Sequence, residues 1–205
     1  MDTGRMEAFS DGVLAIVITI MVLKLTLSEG PDWTTLTDAA PVLMAYVVSY
    51  LYVGIYWANH HHLVKVAESV SGTILWMNLL WLFWMTLIPV ATEWVGLYPF
   101  SRIPTLFYGV ILFLSALSYH LLQTSIVRQA GPDSAIARRI GKDWKGKLSI
   151  LAYGLAAAGS LFQPIISYAF YAIVAIAWIV PDVRLEQLFG EIEASPPESD
   201  TASNE

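Results

Sequence analysis

Between Gly12 and Leu23 the chain reads Gly-Val-Leu-Ala-Ile-Val-Ile-Thr-Ile-Met-Val-Leu, with no charge and no polar face for a helix to turn to water. Ser10 and Asp11 stand directly before this run, where such a helix would already be entering a bilayer. A carboxylate there is costly unless it is hydrogen-bonded. The segment therefore demands an apolar surround for its length and a polar partner for Asp11. The rest of the chain agrees. Only 14% of the residues are charged and 56% are hydrophobic, whereas soluble domains carry about 25% charged residues. With a mean hydropathy of +0.58, the composition is that of a membrane protein.

A bilayer core about 30 Å thick takes roughly 20 apolar residues as helix. Six stretches qualify: 4–27, 41–60, 73–92, 104–127, 148–162 and 165–180. Asp2 or Thr3 can cap the first, and Lys24 lies near enough to its end to snorkel to the interface. Ser28-Glu29-Gly30-Pro31-Asp32 breaks that helix. Pro41 and Pro104 fall in the first turns of the second and fourth spans, where a missing N–H does no harm. Pro164 and the small residues before it divide the last two spans into a tight helical hairpin. The expected architecture is an all-α membrane protein with one six-helix transmembrane domain, residues 1–189. An acidic tail, 190–205, cannot bury a core and is expected to be disordered. The polar segment 129–147 has room for one surface helix. Asp2, Glu7 and Asp11 before the first apolar run argue against a cleavable signal.

With the N-terminus in the cytoplasm, Arg5, Lys65, Arg128, Arg138, Arg139, Lys142, Lys145, Lys147 and Arg184 collect inside, nine of the eleven basic residues. Lys24 and Arg102 alone fall outside. This positive-inside bias places both termini in the cytoplasm and requires an even number of spans. It also gathers the polar groups into one leaflet. Ser10 and Asp11 share it with Asn59, His60, Trp76, Asn78, His120 and Gln123. Arg5 is six residues from Asp11 and so on a different helix face, which leaves another helix as the source of the Asp11 partner. The layer reads as inter-helix glue, a metal site or a proton relay.

Most chemistry is excluded. There is no cysteine, hence no disulfide and no thiolate metal site. The net charge of −6 does not suit nucleic-acid binding. His60, His61 and His62 are consecutive, about 100° apart on a helix, and cannot all face one ion. No G-x-S-x-G, phosphate loop or H-E-x-x-H is present, so no catalytic residue, bound metal or cofactor is expected. Tyr52-Val53-Gly54-Ile55-Tyr56 has a passing likeness to a potassium filter but lies inside a continuous apolar span and reads as ordinary helix. Trp33, Trp57, Trp76, Trp94, Tyr98 and Trp178 read as interfacial belt residues, and Trp81 and Trp84 as packing.

Arg5-x-x-x-Phe9-Ser10-Asp11-Gly12-Val13, followed by Ala15-Ile16-x-Ile18-Thr19, resembles the signature of the transmembrane protein 175 family, lysosomal potassium channels and their bacterial relatives. The resemblance continues through Tyr56-Trp57-x-Asn59-His60-His61-His62-Leu63, and through Leu75-Trp76-Met77-Asn78-Leu79-Leu80 with Leu87-Ile88-Pro89. It covers the first three spans; the last three match in number and placement. One R-x-x-x-F-S-D and six spans are similar to the bacterial form, which implies a homotetramer in the inner membrane. The family implies a central pore lined by the first helix, passing potassium with no carbonyl filter. By position, Ile16 falls on the tightest hydrophobic ring, with Ile20 and Leu23 along the same face and Thr19 beside it. Arg5, Phe9, Ser10, Asp11, Asn59, His60 and Asn78 resemble an inner-end structural network. The implied partners are further copies of the chain, lipid and monovalent cations.

Periodicity alone does not choose this face, because every face of the helix is apolar; an Ile/Leu stripe is more often packing or lipid contact. The competing reading is a proton-conducting channel or proton-coupled transporter using Asp11 with His60 or His120. Transporters more often show broken helices and internal repeats, and the sequence shows neither. A membrane hydrolase using His and Asp on a metal is the third reading.

Overall fold

The computed structural model describes residues 2–26, 30–67, 69–140 and 143–179. Ser28, Glu29, Lys142, Arg184 and the acidic tail therefore lie outside the described residues, as do the expected ends of the first span at Leu27 and the last at Val180. What is described is helical, with no strand among the described residues.

Helix α1, Thr3–Leu23, starts where the Asp2 carboxylate accepts the Gly4 N–H at 3.2 Å, satisfying one of the orphan donors of a helix start. It stops at Leu23, short of the expected Leu27. Lys24 pairs there with Glu93 at 3.1 Å, so the ammonium is held at the charged level instead of continuing an apolar turn. The short α2, Trp33–Asp38, was not foreseen; it follows Gly30, whose φ of 146° suits glycine. Helix α3, Ala40–Lys65, begins with Pro41 in its first turn and runs past the expected end at His60, taking in His61 and His62. Its 26 residues span about 39 Å at 1.5 Å per residue.

The third expected span is two helices, α4 (Gly72–Thr86) and α5 (Ile88–Leu97). Pro89 lacks the N–H that would continue the ladder, and it falls in the first turn of α5, where that loss does no harm. Leu87, between the two helices, stays right-handed at φ −88°, ψ −12° and donates to the Trp84 carbonyl at 3.1 Å. This is a proline kink, not an unwound ion-binding break. Helix α6, Arg102–Ala130, ends at Gly131 with φ 90°. Helix α7, Ala135–Ile140, occupies the polar segment. Asp143 caps α8, Trp144–Ser160, by accepting the Gly146 N–H at 2.9 Å. After a tight turn at residues 161–163, α9 runs Pro164–Ile179.

Among the described residues, four segments are long and apolar enough to cross a membrane: α1, α3, α4 with α5, and α6; α9 is a shorter apolar helix. Helix α6 is the hub, packed against α4, α5, α8 and α9, while α1 lies against α3, α4 and α5. Gly96 and Gly109 permit close approaches, since a Cβ at Gly96 would lie 2.9 Å from Val42 Cα and one at Gly109 would meet the Tyr171 hydroxyl and lie 3.3 Å from Ala157 Cα. Small residues at such crossings are how helices pack where lipid offers no hydrophobic drive. Hydroxyls tie the buried seams: Thr92 donates to Ser49 at 2.7 Å, Ser49 bonds Tyr108 at 2.9 Å, and Tyr171 donates to the Thr105 carbonyl at 3.1 Å.

Candidate functional site

Although α1 is apolar all round, its two faces have different fates. Met6, Ser10, Leu14, Val17 and Met21 recur every three or four residues and are buried against α3, α4 and α5. The opposite face has no neighbour among the described residues. There Phe9 is 55% exposed, Ile16 59%, Ile20 42% and Leu23 74%. Thr19 lies on the same exposed side, its hydroxyl donating to the Ala15 carbonyl at 2.8 Å. Its oxygen lone pairs remain open toward the outside of the protomer.

The buried face is pinned by a polar relay through three helices. Ser10 donates to the Met6 carbonyl at 2.8 Å and accepts from Asn78 Nδ2 at 2.9 Å. With its nitrogen so used, Asn78 turns Oδ1 toward His60 Nε2, 2.9 Å away. His60 must donate through Nε2, which fixes its neutral tautomer. Its ring stacks on Trp81 with centroids 4.7 Å apart. Ser10, His60, Asn78 and Trp81 are all fully buried, so the relay is a polar seam in an apolar interior, with His60 Nδ1 and Trp81 Nε1 left without a hydrogen-bond partner.

Beside it runs a second set of contacts at the rim. Trp57 Nε1 donates to Asp11 Oδ1 at 3.0 Å, and His61 Nδ1 meets Glu7 Oε1 at 2.6 Å. Glu7 and Asp11 are one turn apart on α1, as are Trp57 and His61 on the antiparallel α3. The four residues form a two-rung ladder.

Several expectations are thereby corrected. The partner of Asp11 is Trp57, assigned from sequence to the interfacial belt, and not a histidine or asparagine. An indole N–H is a donor only, which matches the acceptor oxygens of a carboxylate. Asn59 lies near the relay but its Nδ2 donates to the Ile55 carbonyl of its own helix at 2.8 Å. Arg5 and Phe9 are exposed and stand outside the relay within the protomer. His120 is elsewhere, its Nδ1 3.6 Å from Asp143 Oδ2. His60 bonds Asn78 and His61 meets Glu7, and among the described residues no three His, Asp or Glu side chains gather as a metal site. Sequence reasoning missed Glu7, Trp57, His61 and Glu93. The matching spacings of four, Glu7 to Asp11 and Trp57 to His61, are the signal that an antiparallel pair would have exposed.

The comparisons with known proteins bear on the same residues. The family model described as endosomal/lysosomal potassium channel TMEM175 matches residues 5–89, which contain α1 from Arg5 onward, the ladder and the relay. A protein named potassium channel from Chryseobacterium sp. (strain P1-3) is 47% identical over 191 residues, covering 93% of this chain and 100% of that protein. A potassium channel of Streptomyces collinus is 34% identical over 135 residues, covering 62% of this chain and 66% of its own. The mouse endosomal/lysosomal proton channel TMEM175 is 27% identical over 144 residues, 61% of this chain but only 28% of that protein. The crystal structure of a lysosomal potassium-selective channel TMEM175 homolog from Chamaesiphon minutus superposes with a TM-score of 0.76 at 24% identity, covering 87% of this chain and 96% of that one, which establishes a shared fold. Apolar crossing helices, a full-length relative at this identity and the family match together identify an integral membrane protein that belongs to the TMEM175 channel family.

Proposed function

We propose that the chain forms a homotetrameric, potassium-permeable cation channel in the bacterial inner membrane, with both termini cytoplasmic and current flowing passively down the gradient. Each subunit contributes six crossings: α1, α3, α4 with α5, α6, α8 and α9. The observation that carries the reading is the bare apolar face of α1. A helix so firmly pinned on one side, by Ser10 and its relay, holds Ile16, Ile20 and Leu23 outward at a fixed rotation. One such helix encloses nothing, and closed symmetry around a shared axis turns four of them into a conduit.

In that arrangement Ile16 forms the narrowest ring and Ile20 and Leu23 extend the same lining. A ring of isoleucines dewets a narrow path, and ions pass when it widens. Thr19 supplies hydroxyl oxygens beside the constriction for an ion losing water. Selectivity follows from ring diameter and dehydration cost, with no carbonyl filter. The relay and the Asp11–Trp57 contact hold the pore helix and do not touch the ion.

Support for potassium comes from the 47% identical relative named a potassium channel. A second reading, proton conduction, has its own support: mammalian relatives are named proton channels, and His61 and Glu7 form a titratable pair at 2.6 Å at the inner end of α1. Purified protein in liposomes separates the two. Potassium flux with no proton gradient supports the channel as stated; flux strictly tied to a pH difference supports the alternative.

A further inference from the structure

Where the last turns of α6 meet the start of α8, a cavity of about 300 Å³ lies between the two helices. That size is at the lower end of pockets that enclose small ligands. The exposed Arg128 and Lys147 stand at its rim, and Gln123 and Thr124 line its α6 side. His120, Gln123 and Asp143 also line a second, deeper chamber of about 40 Å³, which has room for water and nothing larger. A ligand entering past the rim therefore stops at Gln123.

Packing of α6 on α8 leaves three features of this cavity unexplained. Gln123 is only 7% exposed, yet its amide makes no hydrogen bond among the described residues. Native structures leave few buried polar groups unmet. Thr124 is similar. Ser118 and Ser125 of the same helix turn their hydroxyls back onto the Leu114 and Leu121 carbonyls, whereas the Thr124 hydroxyl has no such bond among the described residues and lines the cavity. The third feature is electrostatic. Lys145 and Lys147 sit in the first turn of α8, which carries no acidic residue. Cations there oppose the positive end of the helix dipole, and an anion relieves the conflict. The carboxylate in the lining is already engaged: Asp143 Oδ1 accepts the Gly146 N–H at 2.9 Å, and Oδ2 lies 3.6 Å from His120 Nδ1. Neither Arg128 nor Lys147 has an ion-pair partner among the described residues.

Residues 128–147 hold six of the eleven basic residues of the chain, and the positive-inside bias accounts for cations at this level. It does not account for a cavity with a bare amide and a bare hydroxyl set behind two of them. We infer that this cavity binds the phosphate of an anionic phospholipid: Arg128 and Lys147 pair with the charge, and Gln123 Nε2 and the Thr124 hydroxyl donate to the phosphate oxygens. Basic pockets between membrane helices on the cytoplasmic side suit such headgroups, and charge-assisted bonds to phosphate are the strong ones. What adjoins the rim selects a lipid over a free phosphate. Trp144, Leu148, Leu151 and Leu155 recur every three or four residues along α8 and are all exposed. An acyl chain lies along this stripe while its headgroup enters the cavity beside Lys147. The cytoplasmic orientation proposed above puts the mouth in the inner leaflet, and the site is separate from the bare face of α1.

The experiment is native mass spectrometry of the purified full-length protein in detergent, titrated with phosphatidylglycerol, with phosphatidylcholine of the same acyl chains, and with glycerol 3-phosphate. Phosphatidylglycerol should bind at one per chain. Phosphatidylcholine, whose quaternary ammonium cancels the phosphate charge, should bind about tenfold more weakly, as loss of a charge-assisted contact implies. Glycerol 3-phosphate, with no chain for the α8 stripe, should also bind more weakly than phosphatidylglycerol. Arg128→Ala with Lys147→Ala should erase the preference between the two lipids. Gln123→Leu should weaken phosphatidylglycerol about tenfold, and Thr124→Val, which keeps the side-chain shape, is the second probe should Gln123→Leu fail to fold. Lys65→Ala with Arg102→Ala removes the same charge elsewhere and should change nothing. Equal binding of the two lipids, a preference that survives loss of Arg128 and Lys147, an equal loss on removing Lys65 and Arg102, or glycerol 3-phosphate binding as tightly as phosphatidylglycerol would each overturn the assignment. No current is measured, so failure here leaves the channel reading standing, and a protein that binds the lipid but passes no potassium fails that reading alone.

Discussion

Asn78 donates to Ser10 across a distance of 2.9 Å and 68 positions of sequence, and both side chains are fully buried. This one bond ties α1 to α4. Through the other end of the same amide, it also ties both to His60 of α3. It sets the rotation of α1 and so decides which of its apolar faces is left bare.

Replacing Asn78 with Ala leaves a buried hydroxyl acceptor and a buried imidazole donor unmet. Each costs about 1–3 kcal/mol, and the lost side chain adds a cavity. The purified protein should melt at clearly lower temperature, and a melting curve superimposable on that of the unsubstituted chain would remove the relay from the account.

The contact between Trp57 and Asp11 is more exposed, with Trp57 about half accessible. Trp57→Phe keeps the ring and deletes the N–H. Its coupling to Asp11→Asn in a double-mutant cycle should be modest, about 1 kcal/mol, measured by thermal denaturation. Strict additivity would show that the indole and the carboxylate do not interact in solution.

Gly109 and Gly54 make a contrasting pair. A Cβ at Gly109 would run into the Tyr171 hydroxyl and crowd Ala157, whereas one at Gly54 meets nothing within 4 Å. Gly109→Val should destabilise by about 1–3 kcal/mol, as overpacking does. Gly54→Ala should be neutral or slightly stabilising, because alanine favours helix over glycine by about 1 kcal/mol. Chemical denaturation in detergent compares them, and an equal response at both sites would contradict the packing described for α6 and α8.

The sequence made the helical class and the membrane setting legible because hydropathy is a property of long runs, as in Gly12 to Leu23. It also announced that Ser10 and Asp11 needed partners, since a buried polar group states its own requirement. It did not say which partners. Asp11 meets Trp57 and His60 meets Asn78 because of helix rotation, and a helix apolar on every face gives periodicity no phase from which to read rotation. Residue Glu93 was passed over for a related reason. It sits at the end of a span broken by Pro89, and its use becomes visible only when Lys24 arrives from another helix. The two-helix break at Leu87 was likewise hidden, because Ile88-Pro89 sits within an otherwise continuous apolar run.

The central claim is that the bare face of α1 lines the path of the ion, with Ile16 at its narrowest point. The most direct measurement is single-channel potassium conductance of Ile16→Asn against the unsubstituted protein in planar bilayers. A polar ring should hydrate the constriction and raise conductance severalfold, with the assembled protein otherwise unchanged. Identical conductance in a correctly assembled Ile16→Asn protein would place Ile16 away from the pore and contradict the account.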